Sequence, residues 1–169
     1  MERIINILFY VTYKARVRLH YFLIKALFIK SFYNLPFVLK HFKRMGVDNP
    51  LQKLNNEMTD RKGAGVFTPT IIFLSSIAFI FFSINLCILK IVNLEYLFKN
   101  KDLALFSMIF PSMIVYFRFI DHNDKYLSYF EKFDKWTKKE KRKYAIITIL
   151  YYILVKTLFF SSIICKPYS

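Results

Sequence analysis

Thr70 to Leu89 reads TIIFLSSIAFIFFSINLCIL, twenty residues without one charge. As a helix rising ~1.5 Å per residue it is about 30 Å long, the thickness of the hydrocarbon core of a bilayer. The run reads as a transmembrane helix, and the remaining 149 residues of the 169-residue chain fall into place around it. Hydrophobic content of 56% with only three Gly and five Pro argues against disorder, and the 22% of charged residues is segregated into blocks. The expected fold class is an all-α integral membrane protein.

Two further apolar stretches follow. Leu103 to Phe117 is fifteen uncharged residues, and Arg118 can extend its aliphatic stem and lengthen that span to about Ile120. Pro111 lies mid-span and should kink it. Tyr144 to Cys165 is interrupted only by Lys156. Three crossings are therefore expected, at about 70–89, 103–120 and 144–165, within a helical membrane domain of residues 67–169.

Residues 1–45 are apolar and aromatic but studded with positive charge. On a helical wheel Arg3, Lys14, Arg18, Lys25, Lys40 and Lys43 share one arc and Arg16, Lys30 and Arg44 do not, while the opposite side carries Phe9 and Leu27. No charge-free run here reaches a spanning length, so the favoured reading is a basic amphipathic arm lying on an anionic leaflet, bent or broken at Pro36. A tilted span over about 21–38 would have to carry Lys25 and Lys30. Burial in a partner, or in the rest of this chain, is the third arrangement. Residues 46–66 form a linker, in which Asn49-Pro50 opens a short helix and Gly63-Ala64-Gly65 is a flexible joint. Thr68-Pro69 gives the same cap-and-proline signal at the start of the first span.

Between the second and third spans, Tyr126, Tyr129, Phe130, Phe133 and Trp136 recur at helical spacing among charged residues. This reads as an amphipathic cytoplasmic helix over about 124–143, with its aromatics at the membrane interface. Residues 1–65 hold twelve Lys and Arg and residues 118–143 hold nine, whereas the intervening loop carries Lys99 and Lys101. The positive-inside rule then places the N-terminus in the cytoplasm and the C-terminus outside.

Lys156 lies near mid-depth of the third span, and an ionisable residue there is a functional hypothesis. No acidic residue lies within any of the three spans. Within the chain its partners would be Asn85 and Ser83, or Glu95 and Asp102 if it stretches outward; otherwise it snorkels or meets a carboxylate of another protein. Ser76, Ser83 and Cys87 share one face of the first span, near Asn85, and such small polar residues allow helices to approach closely. Lys156, Asn85, Ser83 and Ser76 are thus the expected membrane-embedded contact residues. Arg16, Arg18, Lys138, Lys139, Lys141 and Arg142 are expected to meet anionic headgroups.

Signals for chemistry are weak. Cys87 and Cys165 match no zinc or redox spacing, although both fall toward the outer leaflet, where a disulfide is geometrically allowed. Asp121-His122-Asn123-Asp124 lacks the glycine and terminal glutamate of a calcium loop and reads as a helix cap. His20 and His41 have no metal spacing, and no hydrolase motif is found. No cleavable signal peptide is expected, because no small-residue cleavage pattern follows the short apolar run from Ile4 to Thr12.

The segment KYLSYFEKFDKWTKKEKRKYAIITILYYILVKTLFF, residues 125–160, follows two uncharged spans. This aromatic, lysine-rich helix running into a tyrosine-rich last span resembles short bacterial multi-span membrane proteins of uncharacterised function, over about Phe67 to Phe160. The resemblance implies the membrane class and transfers no catalytic residue; the basic N-terminal arm is longer than it implies. The expected function is a non-catalytic membrane component, an adaptor or accessory subunit that binds anionic phospholipids and a membrane protein partner and needs no cofactor. The alternative is a small self-associating pore or transporter subunit. Nucleic-acid binding by the basic arm and an enzymatic role are less favoured.

Overall fold

The structure, a computed structural model, describes residues 2–92 and 100–164. Among the described residues all regular structure is helical: α1 (Glu2–Ala26), α2 (Ile29–Tyr33), α3 (Pro36–Arg44), α4 (Pro50–Thr59), α5 (Ala64–Ile91), α6 (Lys101–Tyr116), α7 (Lys125–Asp134) and α8 (Lys138–Ile164). A wide π-type turn (Phe117–Asp121) and a short 3-10 turn (His122–Asp124) lead from α6 into α7. Three stretches are long and apolar enough to cross a membrane: Ala64–Ile91, Asp102–Asp134 and Lys138–Ile164. The chain divides into two compact units, Met1–Val11 with Ile71–Ser169, and Thr12–Thr70. Helices α1 and α5 each run through the division.

In the first unit α8 buries small or polar side chains and exposes large apolar ones. On α8 the buried residues are Thr148, Val155 and Ser162, one every seven positions, while Ile149, Leu150, Ile153 and Leu154 are exposed. Small residues in the seam let helix backbones approach, and an apolar exterior suits lipid rather than water. Contacts between α5 and α8 advance in the same direction: Ser76 meets Tyr151, Phe79 stacks on Phe159 with ring centroids 4.5 Å apart, and Lys90 reaches Ser162. The two helices are therefore parallel, which requires the chain to travel back between them. Helix α6 supplies that return, with Met108 and Ser112 lining a shared groove beside Ala78 and Ser75 of α5.

The same unit has an aromatic core at the start of α1. Asn6, Phe9 and Tyr10 lie on one helical face, as do Tyr126, Phe130 and Phe133 of α7, and the two faces meet. Phe9 is fully buried, with ring centroids 5.7 to 6.4 Å from Phe73, Tyr116, Tyr126 and Phe130, three of them edge to face. Tyr10 packs on Phe130, Phe133 and Trp136 and donates its hydroxyl to Asp134 at 2.8 Å. This changes two expectations. The opening turns of the basic arm pack inside the protein, and the aromatic face of the helix after the second span packs on α1. Periodicity finds an apolar face but not what covers it.

That helix is also shorter than expected, ending at Asp134 and not near residue 143. The basic run 138–143 instead opens α8. The reason is a capping box: the Thr137 N–H and hydroxyl both donate to Glu140 at 2.8 Å, and the Glu140 N–H donates to the Thr137 hydroxyl at 3.3 Å.

In the second unit α1 breaks at Leu27–Phe28, where Phe28 takes a left-handed backbone (φ 50°), about two turns earlier than the expected break at Pro36. Pro36 opens α3, where its missing N–H costs no helical bond. Helix α3 ends on Gly46 (φ 75°), with Val47 N–H bonded to Phe42 O and Gly46 N–H to Lys43 O, a Schellman closure. Asn49 caps α4 by accepting from Gln52 N–H at 3.2 Å. Helix α5 starts at Ala64, so Pro69 sits inside it and does not open it. Gly65 lies against the backbone of Asp60 so closely that any side chain would overlap it. Residues 60–65 are a tight turn built on that approach.

Candidate functional site

Lys156 projects from α8 as an exposed side chain, one residue (about 100°) round the helix from buried Val155. It makes no hydrogen bond or ion pair among the described residues. The partners expected within the chain do not meet it. The Ser83 hydroxyl is buried and donates to Phe79 O at 2.7 Å within its own helix. Asn85 is half-buried and likewise makes no hydrogen bond among the described residues. Asp102 sits at the first turn of α6, where Asn100 accepts from its N–H; Glu95 lies outside the described residues.

Ser76 does join two helices. Buried in α5, it donates to Phe73 O at 2.7 Å and lies 3.3 Å from the Tyr151 hydroxyl of α8. Cys87, on the same side of α5, is free and exposed. It lines an open groove of about 400 Å³ with Ser83, Lys90, Leu158, Ser161 and Ser162. Cys165 lies outside the described residues, so the suggested disulfide does too.

Lys90 makes a contact between α5 and α8 that sequence reasoning missed. Its ammonium donates to Ser162 O at 2.7 Å and Ile163 O at 3.4 Å, the last carbonyls of α8. Carbonyls near the C-terminal end of a helix carry the negative end of its dipole, so a cation placed there is stabilising. The nearest sequence signal is a lysine at the end of an apolar run. Asn6 is a second missed residue. Fully buried, it donates through Nδ2 to Glu2 O and Phe119 O, both at 3.0 Å, which satisfies a carbonyl of the wide turn after α6.

The expected headgroup-binding residues separate into two groups. Arg18, Lys138, Lys139 and Arg142 are exposed. Arg16 is half-buried and its guanidinium donates to Met58 O, while Lys141 donates to Asp134 O at 2.8 Å. Those two cations serve helix ends of this chain. Glu140 precedes the apolar stretch that begins at Tyr144, and the bonds from Thr137 N–H and hydroxyl hold its carboxyl below the usual range.

Among the described residues no group of three or more His, Cys, Asp or Glu is placed to hold a metal. The sequence Asp121-His122-Asn123-Asp124 forms a turn with Asn123 and Asp124 in left-handed backbone, and Asp124 makes no side-chain cap on α7. His20 Nε2 lies 3.1 Å from Asn55 Oδ1. No protein-family model, curated protein or solved structure matches this chain.

Proposed function

We propose that this protein is a non-catalytic, multi-pass component of a bacterial inner membrane that holds a partner protein through the exposed face of α8. The single observation that carries the reading is Lys156: a cation within an apolar helix, exposed and without a bond among the described residues. A charge at that depth is costly unless it is paired or reaches the interface, and no acid lies in the three spans to pair with it. A carboxylate on a partner helix would supply what this chain lacks. The exposed basic residues Arg18, Lys138, Lys139 and Arg142 favour a cytoplasmic leaflet rich in anionic phospholipid. The parallel run of α5 and α8 supports three crossings, and the Lys and Arg excess in residues 1–65 and 118–143 favours an N-terminus inside and a C-terminus outside.

Photocrosslinking from position 156 in intact membranes tests the reading. One discrete product with another protein is expected. Lipid adducts alone would mean that Lys156 only snorkels, and would overturn the assembly role.

A self-associating pore or transporter subunit is the second reading. It is favoured by the open groove of Ser83, Cys87, Ser161 and Ser162, small residues suited to receiving another helix. A ladder of self-products in the same experiment would select it.

A further inference from the structure

The second compact unit, Thr12–Thr70, combines features that neither a spanning segment nor a water-exposed domain combines. Its exposed side chains include Phe22, Leu27, Phe28, Phe32 and Phe37, between 54% and 75% accessible. Aromatic residues exposed to that extent in one short stretch mark a surface meant for another phase or molecule. Past α1, which carries Phe22 and ends at Ala26, the helices that follow, α2 and α3, are too short to cross a bilayer. Helix α2 has five residues and α3 has nine, and a crossing needs about twenty. Breaks at Phe28, at Asn34–Leu35 and at Gly46 prevent their joining into one rod.

The polar helix α4 covers one side of the unit's first helix. Tyr13, Arg16 and His20, one face of α1, are tied to the polar helix α4: Tyr13 donates to Thr59 O, Arg16 to Met58 O, and His20 meets Asn55. At 100° per residue, Phe22 lies on the opposite face, with exposed Arg18 and Lys25 within about 60° of it. Beyond the break, exposed Phe37 on α3 is likewise accompanied by Lys40 and Arg44. The unit holds eleven Lys and Arg against three Asp and Glu.

From this arrangement we infer that Thr12–Thr70 is an in-plane membrane anchor. Its α4 side faces water, and the aromatic side chains of α1 to α3 enter an anionic leaflet. Phe22, Phe28 and Phe37 sit below the phosphates, and Arg18, Lys25, Lys40 and Arg44 lie at their level. The charge excess selects acidic phospholipid over a neutral surface. The inference rests on the reading of the whole chain as a membrane protein, and it revises the arm expected from sequence. The lipid-facing part starts after the buried turns of α1, and Arg16 faces α4 instead of lipid.

The test is depth measurement by electron paramagnetic resonance on the full chain in vesicles of phosphatidylcholine with phosphatidylglycerol. A nitroxide is attached at Phe22→Cys, Phe28→Cys or Phe37→Cys, each with Cys87→Ser and Cys165→Ser. Collision with oxygen and with a water-soluble nickel chelate should place all three labels about 5–10 Å below the phosphates. A label at Lys53→Cys on α4 should stay in water. Replacing phosphatidylglycerol by phosphatidylcholine should move the three labels toward water. Labels accessible to nickel in the acidic vesicles would overturn the inference in favour of a protein-binding surface. A Phe28→Cys label at the bilayer centre would overturn it in favour of a crossing. Ile153→Cys separates the two levels of failure: a deep label there with shallow labels absent refutes the anchor alone, whereas a water-exposed label at 153 refutes membrane insertion itself.

Discussion

Replacing Phe9 by alanine probes whether the start of α1 belongs to the core. Its side chain is fully buried and meets four aromatic rings, whereas Phe28 on the same helical arm is 75% exposed. Truncating a buried phenylalanine costs about 3–5 kcal/mol, the transfer free energy of the ring plus the cavity left among neighbours that relax only in part. The lower half of that range fits a cavity walled by large rings that can tilt into it, so about 3–4 kcal/mol is expected. That corresponds to a factor of about 10² to 10³ in the unfolding equilibrium. The protein supplies its own reporter. Trp136 is the single tryptophan, stacked on Tyr144 at 4.3 Å and packed against Phe133 at 4.3 Å and Tyr10 at 6.0 Å, one residue along from Phe9. Denaturant titration of the full chain in detergent, followed by Trp136 emission, should show an earlier transition for Phe9→Ala and little change for Phe28→Ala. Equal, small shifts for both would refute the packing. The first turns of α1 would then lie on the membrane, as the sequence alone favoured.

Three further outcomes are expected. Lys90→Met should destabilise the end of α8 by about 1 kcal/mol, the scale of a cation at a helix C-terminus, read as faster amide exchange at residues 160–164 with the Trp136 transition unmoved; unchanged exchange would remove Lys90 as a cap. Because bonding to Thr137 depresses the Glu140 pKa, its stabilising effect is present above the unfolded carboxylate pKa and is lost as pH falls through the lower, folded value. Emission of neighbouring Trp136 should follow that loss, and Glu140→Gln, which keeps a capping side chain, should flatten the pH response. Lys156→Leu should ease membrane insertion by about 3 kcal/mol on the translocon scale while abolishing co-purification of the partner. Retained co-purification would refute the role assigned to Lys156.

Much of the architecture was legible from one-dimensional signals because lipid imposes simple rules. A backbone in hydrocarbon must satisfy itself within a helix, so twenty uncharged residues mark α5 before any packing is known. Local chemistry was equally readable where partners are close in sequence: Asn49 capping Gln52 spans three positions, and so does the unread Thr137–Glu140 box. Helix starts were harder. Thr68-Pro69 has the form of an N-terminus, yet α5 begins at Ala64 because Gly65 can press against Asp60. The candidate site was legible in part. Lys156 stands out as a charge in an apolar run, but its outward placement depends on which face of α8 meets α5.

By itself, the sequence determined that this chain is helical, holds three membrane-length apolar stretches and separates its charge into blocks. Composition and period decide those properties residue by residue. Only the tertiary structure decided that Phe9 packs in an aromatic core, that Arg16 serves the end of α4, and that Lys90 joins α5 to α8. Each of these depends on contact between residues distant along the chain: 72 positions separate Lys90 from Ser162, and 124 separate Tyr10 from Asp134. An amphipathic period specifies that a face must be covered, and the free energy of burial is nearly indifferent to whether lipid, a partner or the chain itself covers it. Shape and hydrogen-bond geometry make that choice, and they exist only once the helices have met.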